Sequence, residues 1–198
     1  MMSWQGDAVT QARERGSEQT AGPDEVLAFS RAAGPDKWFK KDPAFDQEIA
    51  SRFLAVWEAA AGGKLGAWEE TPESALALVI VLDQFSRNMF RGQRRCYDCD
   101  PMVRAVAQRS LARGFDRKIA HAERKFFYLP FMHSEYLPDQ EHCLELARSY
   151  GEEEFARDAE QHAEIIRRFG RFPHRNAIMG RSTTAQEQTF LDAGGFAG

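Results

Sequence analysis

The sequence predicts an all-α fold, chiefly because the same helix-start signal recurs along the chain. Asp42-Pro43, Thr71-Pro72 and Asp100-Pro101 each place a residue that favours the N-cap position before a proline, which the first helical turn tolerates well. The three prolines are spaced 29 residues apart. No segment shows the alternating pattern of a half-buried strand. We therefore predict antiparallel helical hairpins stacked side by side, and the even spacing favours a solenoid-like arrangement, although the tetratricopeptide sequence pattern itself is absent.

Apolar residues recur with the helical period after each start, and glycines mark where the helices end. The stripe from Phe45 to Ala60 ends at Gly62-Gly63, and the stripe that follows Pro101 ends at Gly114. A capping box opens a last short helix. The other predicted helical segments are residues 121–136, 139–150 and 152–169, and the capping box is Thr184-Ala185-Gln186-Glu187.

Length and charge restrict the domain organisation and the classes of partner. The 198 residues are enough for one compact domain, predicted over residues 23–198, and the polar residues 1–22 are expected to form a mobile extension. A net charge of -4 argues against a surface that binds nucleic acids or anionic membranes, so neither partner is expected. The first twenty residues lack the pattern of a signal peptide, and no apolar run approaches the roughly 20 residues of a membrane span. We expect a cytoplasmic protein.

The three cysteines, Cys96, Cys99 and Cys143, are expected to be free thiols. Cys96-Tyr97-Asp98-Cys99 is an isolated CxxC without the further ligands of a zinc site, and no metal site is predicted. The sequence also lacks HExxH, a glycine-rich phosphate loop and GxSxG. These motifs therefore identify neither a reaction nor a cofactor.

A group of polar residues continues a helix that is apolar on all sides. The segment from Ala75 to Leu82 is entirely apolar, so the residues that follow it are expected to enter the interior as well. The spacing of Asp83 and Arg87 allows an ion pair along one helix, and Gln84 and Asn88 add amide groups in the same turn. A buried ion pair that joins hairpins, with no ligand, explains the same pattern.

A second polar group follows a proline inside an apolar helix. Pro130 is expected to kink this helix and to leave a backbone carbonyl without its partner. His133 follows within a turn, and the helical period places Tyr128 and Glu135 on a different face from His133. These side chains suit acid and base chemistry, although a histidine on an apolar face is more often a core residue.

A third polar group lies at the end of the helix over residues 152–169. His162 lies on the inward stripe of that helix, and Gly170 ends it. The turn that follows carries donors able to hold a carboxylate or phosphate, or alternatively to cap the helix and form surface pairs. These donors are Arg171, His174, Arg175 and Asn176.

These polar segments resemble a bacterial family called domain of unknown function 924. The resemblance is carried by residues 82–88, 127–135, 173–176 and 180–183, and it extends from about residue 26 to residue 190. It implies an all-helical, tetratricopeptide-like fold and no particular activity. The chain departs from the family pattern at Ser30, Ser86, Cys96 and Cys99.

Together, the three polar groups predict a pocket for a small polar, anionic molecule, with enzymatic acid and base chemistry left open. The alternative is a helical module that binds a protein or peptide, and a purely structural network is a third interpretation. The candidate hydrogen-bond donors to the anion are Arg87, Arg171 and Arg175. The candidate acid and base groups are Asp83, His133, Glu135 and His174, and the remaining candidate ligand contacts are Gln84, Asn88, Tyr128, His162 and Asn176.

Overall fold

The computed structural model describes residues 21–196, and within this range the chain is all-α with no strand, as predicted. The predicted mobile extension therefore lies outside the described residues, apart from Ala21 and Gly22. The helices are α1 (Pro23–Ala33), α2 (Pro35–Trp38), α3 (Pro43–Ala61), α4 (Pro72–Val79), α5 (Ser86–Met89), α6 (Asp100–Ala112), α7 (Lys125–Met132), α8 (Leu137–Tyr150), α9 (Glu153–Phe169) and α10 (Ala185–Asp192). A π-helical segment, Ile80–Phe85, joins α4 to α5 without a break.

Two of the three predicted Xaa-Pro helix starts have the expected capping geometry. The Asp42 carboxylate accepts hydrogen bonds from the backbone N–H groups of Ala44 and Phe45, and Thr71 forms a capping box with Ser74. The predicted capping box at the start of α10 is also confirmed.

Asp100 is the exception among these starts. Helix α6 begins at Asp100 itself, Cys99 occupies the N-cap position, and no side chain caps this helix end. The Asp100 carboxylate instead accepts a hydrogen bond from Arg87 at 3.0 Å. A charge-assisted bond to a guanidinium is about twice as strong as a bond between neutral groups, so it competes well with the helix end for the carboxylate.

Helix α4 and the π-helical segment form the centre of the core. Every residue from Ala75 to Phe85 is buried, so this part of the chain is enclosed on all sides, as the sequence indicated. Helix α4 packs against α1 and α6, and the π-helical segment packs against α3. Within residues 21–196, none of the helices combines the length and the apolar character that a bilayer span needs.

The π-helical segment changes the backbone at the first polar group. A π-helix bonds each N–H to the carbonyl five residues earlier, so the return to α-helix leaves carbonyls without a regular partner. The Ser86 hydroxyl donates to the carbonyl oxygens of Leu82 at 2.8 Å and Asp83 at 2.9 Å. Arg87 also donates to the Asp83 carbonyl, at 2.9 Å. The backbone is thereby satisfied at the position where Asp83 enters the interior.

The helix that contains Pro130 is shorter than the sequence predicted. Helix α7 ends at Met132, two residues after the proline, and residues 121–123 form a separate 3-10 turn. His133 and Glu135 consequently lie beyond the helix end, so the helical period does not set their directions. Helices α8 and α9 then form a hairpin that packs against α7.

Candidate functional site

A cleft of about 340 Å³ lies where the start of α6 meets the chain that follows α7. Its lining includes Tyr97, Asp100 and Arg104 together with residues 133–136. Arg175 and Met179, from the chain after α9, complete the cleft. The cleft is thus lined by His133 and Glu135 of the second polar group and by Arg175 of the third. No residue of the first group lines it, but Asp83 of that group contacts His133.

Asp83, which is buried, and His133, which lines the cleft and is partly exposed, form a hydrogen-bonded pair. Asp83 is 1 % exposed, and its Oδ1 lies 2.9 Å from His133 Nδ1. The Gln84 side-chain amide donates to the other carboxylate oxygen. An ionised carboxylate only accepts hydrogen bonds, so Nδ1 carries the proton and Nε2 is the ring nitrogen left with a lone pair. This arrangement orients an imidazole as a base.

The protonation states of this pair follow from burial and from Arg87. Burial favours a raised pKa for Asp83, but Arg87 and His133 outweigh it and hold the Asp83 pKa below its ordinary value. Burial and the Arg87 charge lower the pKa of His133, against the opposing effect of Asp83. At neutral pH the carboxylate is therefore charged and the imidazole is neutral, which is the form that accepts a proton.

The predicted ion pair between Asp83 and Arg87 is confirmed. Arg87 Nη1 lies 3.0 Å from Asp83 Oδ1, and Nη2 lies 3.0 Å from Asp100 Oδ1. Arg87 thus joins the buried carboxylate to a carboxylate that lines the cleft. This role of Asp100 could not be predicted from the sequence, because an aspartate before a proline is also a good N-cap residue.

Arg175 is held between two aromatic rings at the cleft. Its guanidinium carbon lies 4.6 Å from the Tyr97 ring centre and 4.4 Å from the Phe172 ring centre. Nη1 donates to the His133 carbonyl at 3.0 Å, whereas Nε is buried without a partner. Burial and the nearby Arg87 charge lower the pKa of Arg175. The side chain is therefore fixed in place and still has N–H groups without an acceptor in the described part of the chain.

Gln140, which the sequence reasoning missed, holds the backbone that carries His133. The side chain is fully buried, and Nε2 lies within hydrogen-bond distance of the Phe131, Met132 and Ser134 carbonyl oxygens at 3.3, 2.7 and 2.6 Å. The two amide hydrogens match the two shorter contacts, to Met132 and Ser134, and the Phe131 carbonyl also accepts from the Ser134 backbone N–H at 3.1 Å. With Arg175 on the His133 carbonyl, three consecutive carbonyls after Phe131 have side-chain donors. A signal was present, since Gln140 lies on the buried stripe of α8 with Cys143, Leu144 and Ala147.

Glu135 lines the cleft but both of its oxygens are already used. Arg181 Nη1 and Nη2 lie 2.5 and 2.9 Å from Oε2 and Oε1, and the Phe172 N–H donates to Oε1 at 2.9 Å. Burial favours a raised pKa, but Arg181 and the Phe172 N–H lower the pKa of Glu135 overall. Glu135 therefore anchors the chain after α9 instead of standing free as an acid or base. Arg181 also escaped the sequence reasoning.

Several predicted site residues do not line the cleft, because they are paired elsewhere. Gln84 and Asn88 line a separate, water-sized cavity of about 10 Å³. His162 packs 6.5 Å from the His133 ring, and His174 packs against Phe172 and Phe196. Asn88 also donates to Asp46, and the remaining three are bound to other partners: Tyr128 to Asp116, Arg171 to Glu187 and Asn176 to Thr183.

The three cysteines are free and buried, at Cys96, Cys99 and Cys143. Burial raises the pKa of Cys99 to about 11 and that of Cys143 to about 12, so both remain protonated thiols at neutral pH. In the part of the chain that the structure describes, no group of three or more His, Cys, Asp or Glu side chains is placed to hold a metal ion.

Buried histidines are expected to make the protein less stable in mild acid. Burial lowers the pKa of His162 to about 4, whereas an unfolded histidine has a pKa of about 6.5. Between these values the unfolded chain binds more protons, so stability falls as the pH is lowered from 7 to 5. The contribution of His162 at pH 5 is on the order of 2 kcal/mol.

This pH effect is measured as the fall in melting temperature between pH 7 and pH 5. His162→Phe should show a smaller fall than the wild type, and the variant of an exposed histidine, His142→Phe, should not. Equal falls in the wild type and in His162→Phe would show that another group is responsible.

Comparison with known proteins assigns the chain to a family. The family model described as "Bacterial protein of unknown function (DUF924)" matches residues 17–195. The chain belongs to this family. The chain is also similar to the solved structure of a protein of unknown function from Agrobacterium tumefaciens, with 43% sequence identity and a TM-score of 0.84. The match covers 86% of this chain and 97% of that one. A comparison with curated proteins finds no match.

Proposed function

We propose that the cleft binds a small polar molecule with an anionic group and that His133, oriented by Asp83, exchanges a proton with it. The observation that carries this proposal is the Asp83–His133 pair: a buried carboxylate holds Nδ1 at 2.9 Å, and Nε2 has no hydrogen-bond partner among the described residues. A base needs both an orienting group and a free nitrogen at the place where a ligand binds. His133 supplies the nitrogen in a cleft of about 340 Å³.

Arg175 supports the anionic part of the proposal. Its aromatic neighbours fix the guanidinium, so little conformational entropy is lost when a ligand binds. Arg104 also lines the cleft, although its Nε already lies 3.1 Å from Asp139. Arg171 has no part in this proposal, since it is paired with Glu187. Arg175 is therefore the residue that we propose donates hydrogen bonds to the anion.

The proposal keeps the cytoplasmic location expected from the sequence, which suits three free cysteines. A protein or peptide interaction module remains the alternative, and the tetratricopeptide-like stacking implied by the resemblance stays a prediction. A partly enclosed cleft lined by charged groups supports a small molecule better than an extended peptide.

The test is a binding screen with acetate, propanoate, lactate, inorganic phosphate and glycerol 3-phosphate. Binding is followed by thermal shift and by the ring ¹⁵N signals of His133. We expect at least one anion to shift the His133 signals. Arg175→Met should weaken that binding about 10- to 100-fold, because a hydrogen bond to a charged group is worth roughly 1.5–3 kcal/mol.

The control for this screen is His142→Gln, which changes an exposed histidine of α8 away from the cleft. It should bind as the wild type does. If no anion shifts the His133 ring signals, or if Arg175→Met binds as well as the wild type, the anion-binding proposal is wrong.

A further inference from the structure

Two side chains that line the cleft each have a hydrogen-bonding atom without a partner among the described residues, an acceptor oxygen on Asp100 and a donor nitrogen on Arg175. Asp100 uses Oδ1 for Arg87 at 3.0 Å, whereas Oδ2 lies 4.0 Å from Arg175 Nη1, beyond hydrogen-bond distance. Arg175 uses Nη1 for the His133 carbonyl, and its Nη2 makes no hydrogen bond with any described residue. Asp100 Oδ2 is thus an unused acceptor and Arg175 Nη2 an unused donor, in addition to the buried Arg175 Nε, on side chains that are about nine-tenths buried.

Unused groups of both kinds restrict the chemistry of a well-matched ligand. A ligand that carries only an acceptor anion satisfies Arg175 and leaves Asp100 Oδ2 unpaired when water is displaced, which costs binding free energy. A ligand that also carries a hydrogen-bond donor satisfies both groups. The best ligand therefore combines an anionic group with a donor.

The charges around the cleft favour a neutral donor over an ammonium group. Arg87 lies 3.0 Å from Asp100 Oδ1, Arg175 lies 4.0 Å from Oδ2, and Arg104 lines the same cleft. A second cation beside these guanidinium groups would be repelled, whereas a hydroxyl donates without adding charge. A hydroxyl is therefore the donor that fits this position.

We infer that the ligand class is a small hydroxylated anion, with its anionic group on Arg175 and its hydroxyl donating to Asp100 Oδ2. This inference rests on the proposed function and specifies the ligand of the same cleft. It assigns Asp100 the role of selecting ligands that carry a hydroxyl. His133 also lines the cleft, and its Nε2 is the acceptor available to the bound ligand for proton exchange.

The experiment compares ligands that differ only in the donor. Lactate is paired with propanoate and with alanine, and glycerol 3-phosphate is paired with propyl phosphate, each titrated by calorimetry against the full chain. We expect one hydroxylated anion to bind about tenfold or more tightly than its counterpart without a hydroxyl. We also expect lactate to bind more tightly than alanine if the carboxylates are the preferred series.

Asp100→Asn provides the second part of the test, because it keeps the size of the side chain and removes its charge. In this variant the hydroxylated ligand should bind at most about threefold more tightly than its counterpart without a hydroxyl. The affinity for the counterpart itself should stay within about threefold of the wild-type value. Asp98→Asn, which changes an exposed neighbour, is the control and should keep the full preference.

The outcomes separate this inference from the proposed function. Equal binding of hydroxylated and unhydroxylated anions by the wild type would overturn the inference and leave the anion site intact. Tighter binding of alanine than of lactate would show that the site prefers an ammonium donor to a hydroxyl, and this result would also overturn the inference. Absence of binding by every anion would overturn both proposals. Because these comparisons use the wild type, they do not depend on how well Asp100→Asn folds.

Discussion

Replacing Arg87 by methionine is expected to lower the free energy of unfolding by about 3 kcal/mol, because it leaves a buried carboxylate without its cation. Asp83 is 1 % exposed, so water does not compensate for the loss of Arg87. The double variant Asp83→Asn/Arg87→Met should be more stable than Arg87→Met alone, since no unpaired charge remains in the interior. Urea unfolding of the two single variants, the double variant and the wild type measures these differences.

Arg109→Met is a matched control for this prediction. Arg109 forms an ion pair with Glu69 at 2.7 Å, but the Arg109 side chain is 51% exposed, so its loss should cost under about 1 kcal/mol. A cost for Arg87→Met no larger than that for Arg109→Met would contradict the burial argument.

The Arg87 variant also has a signature that a general loss of stability does not produce. Arg87 lowers the pKa of His133 and Asp83 raises it, so the pKa of His133 should rise when Arg87 is removed. An NMR titration of the imidazole detects this change. An unchanged or lowered His133 pKa would show that Arg87 does not set the charge state of the pair.

Replacing Gln140 by methionine is expected to cost on the order of 2–3 kcal/mol and to disturb His133. The Gln140 amide donates to the Met132 and Ser134 carbonyl oxygens at 2.7 and 2.6 Å, and buried carbonyls that lose their donor retain the desolvation cost. Gln140 Oε1 is itself buried without a partner, so its removal offsets part of this cost. Urea unfolding measures the cost, and amide hydrogen exchange at residues 131–136 reports on the local backbone.

Gln188→Met is the control for Gln140→Met, because Gln188 Nε2 donates to Asp192 on the surface of α10. It should change the free energy of unfolding by less than about 0.5 kcal/mol. The prediction also requires that the His133 ring signals move in Gln140→Met and stay in place in Gln188→Met. If Gln140→Met is destabilised but the ring signals are unchanged, Gln140 contributes to the fold and does not position His133.

Local features of the sequence were enough to predict most helices and one contact of the site. Caps such as Asp42 and Thr71 act on backbone groups within the next few residues, so their effect can be predicted without the rest of the chain. The Asp83–Arg87 pair was predictable for the same reason, because both residues lie on one helix. Burial of the apolar segment 75–82 followed from its composition.

Contacts between distant residues were not predictable in this way. His133 lies 50 residues from Asp83, and Arg175 lies 42 residues from His133. The three polar segments could be recognised as unusual, but how close they lie depends on how the π-helical segment, the end of α7 and the chain after α9 pack. Several donors therefore have partners that the sequence did not indicate, such as Glu187 for Arg171 and Asp116 for Tyr128.

The amino-acid sequence by itself determined the all-α class, most helix boundaries and the buried ion pair, because these depend on interactions within a few residues. The tertiary structure alone decided which polar side chains share the cleft. Asp100 shows the reason: its carboxylate was able to cap its own helix or bind Arg87, and only the packing of the two helices places that guanidinium 3.0 Å away. A charged partner within hydrogen-bond distance competes successfully with the backbone N–H groups of the helix end.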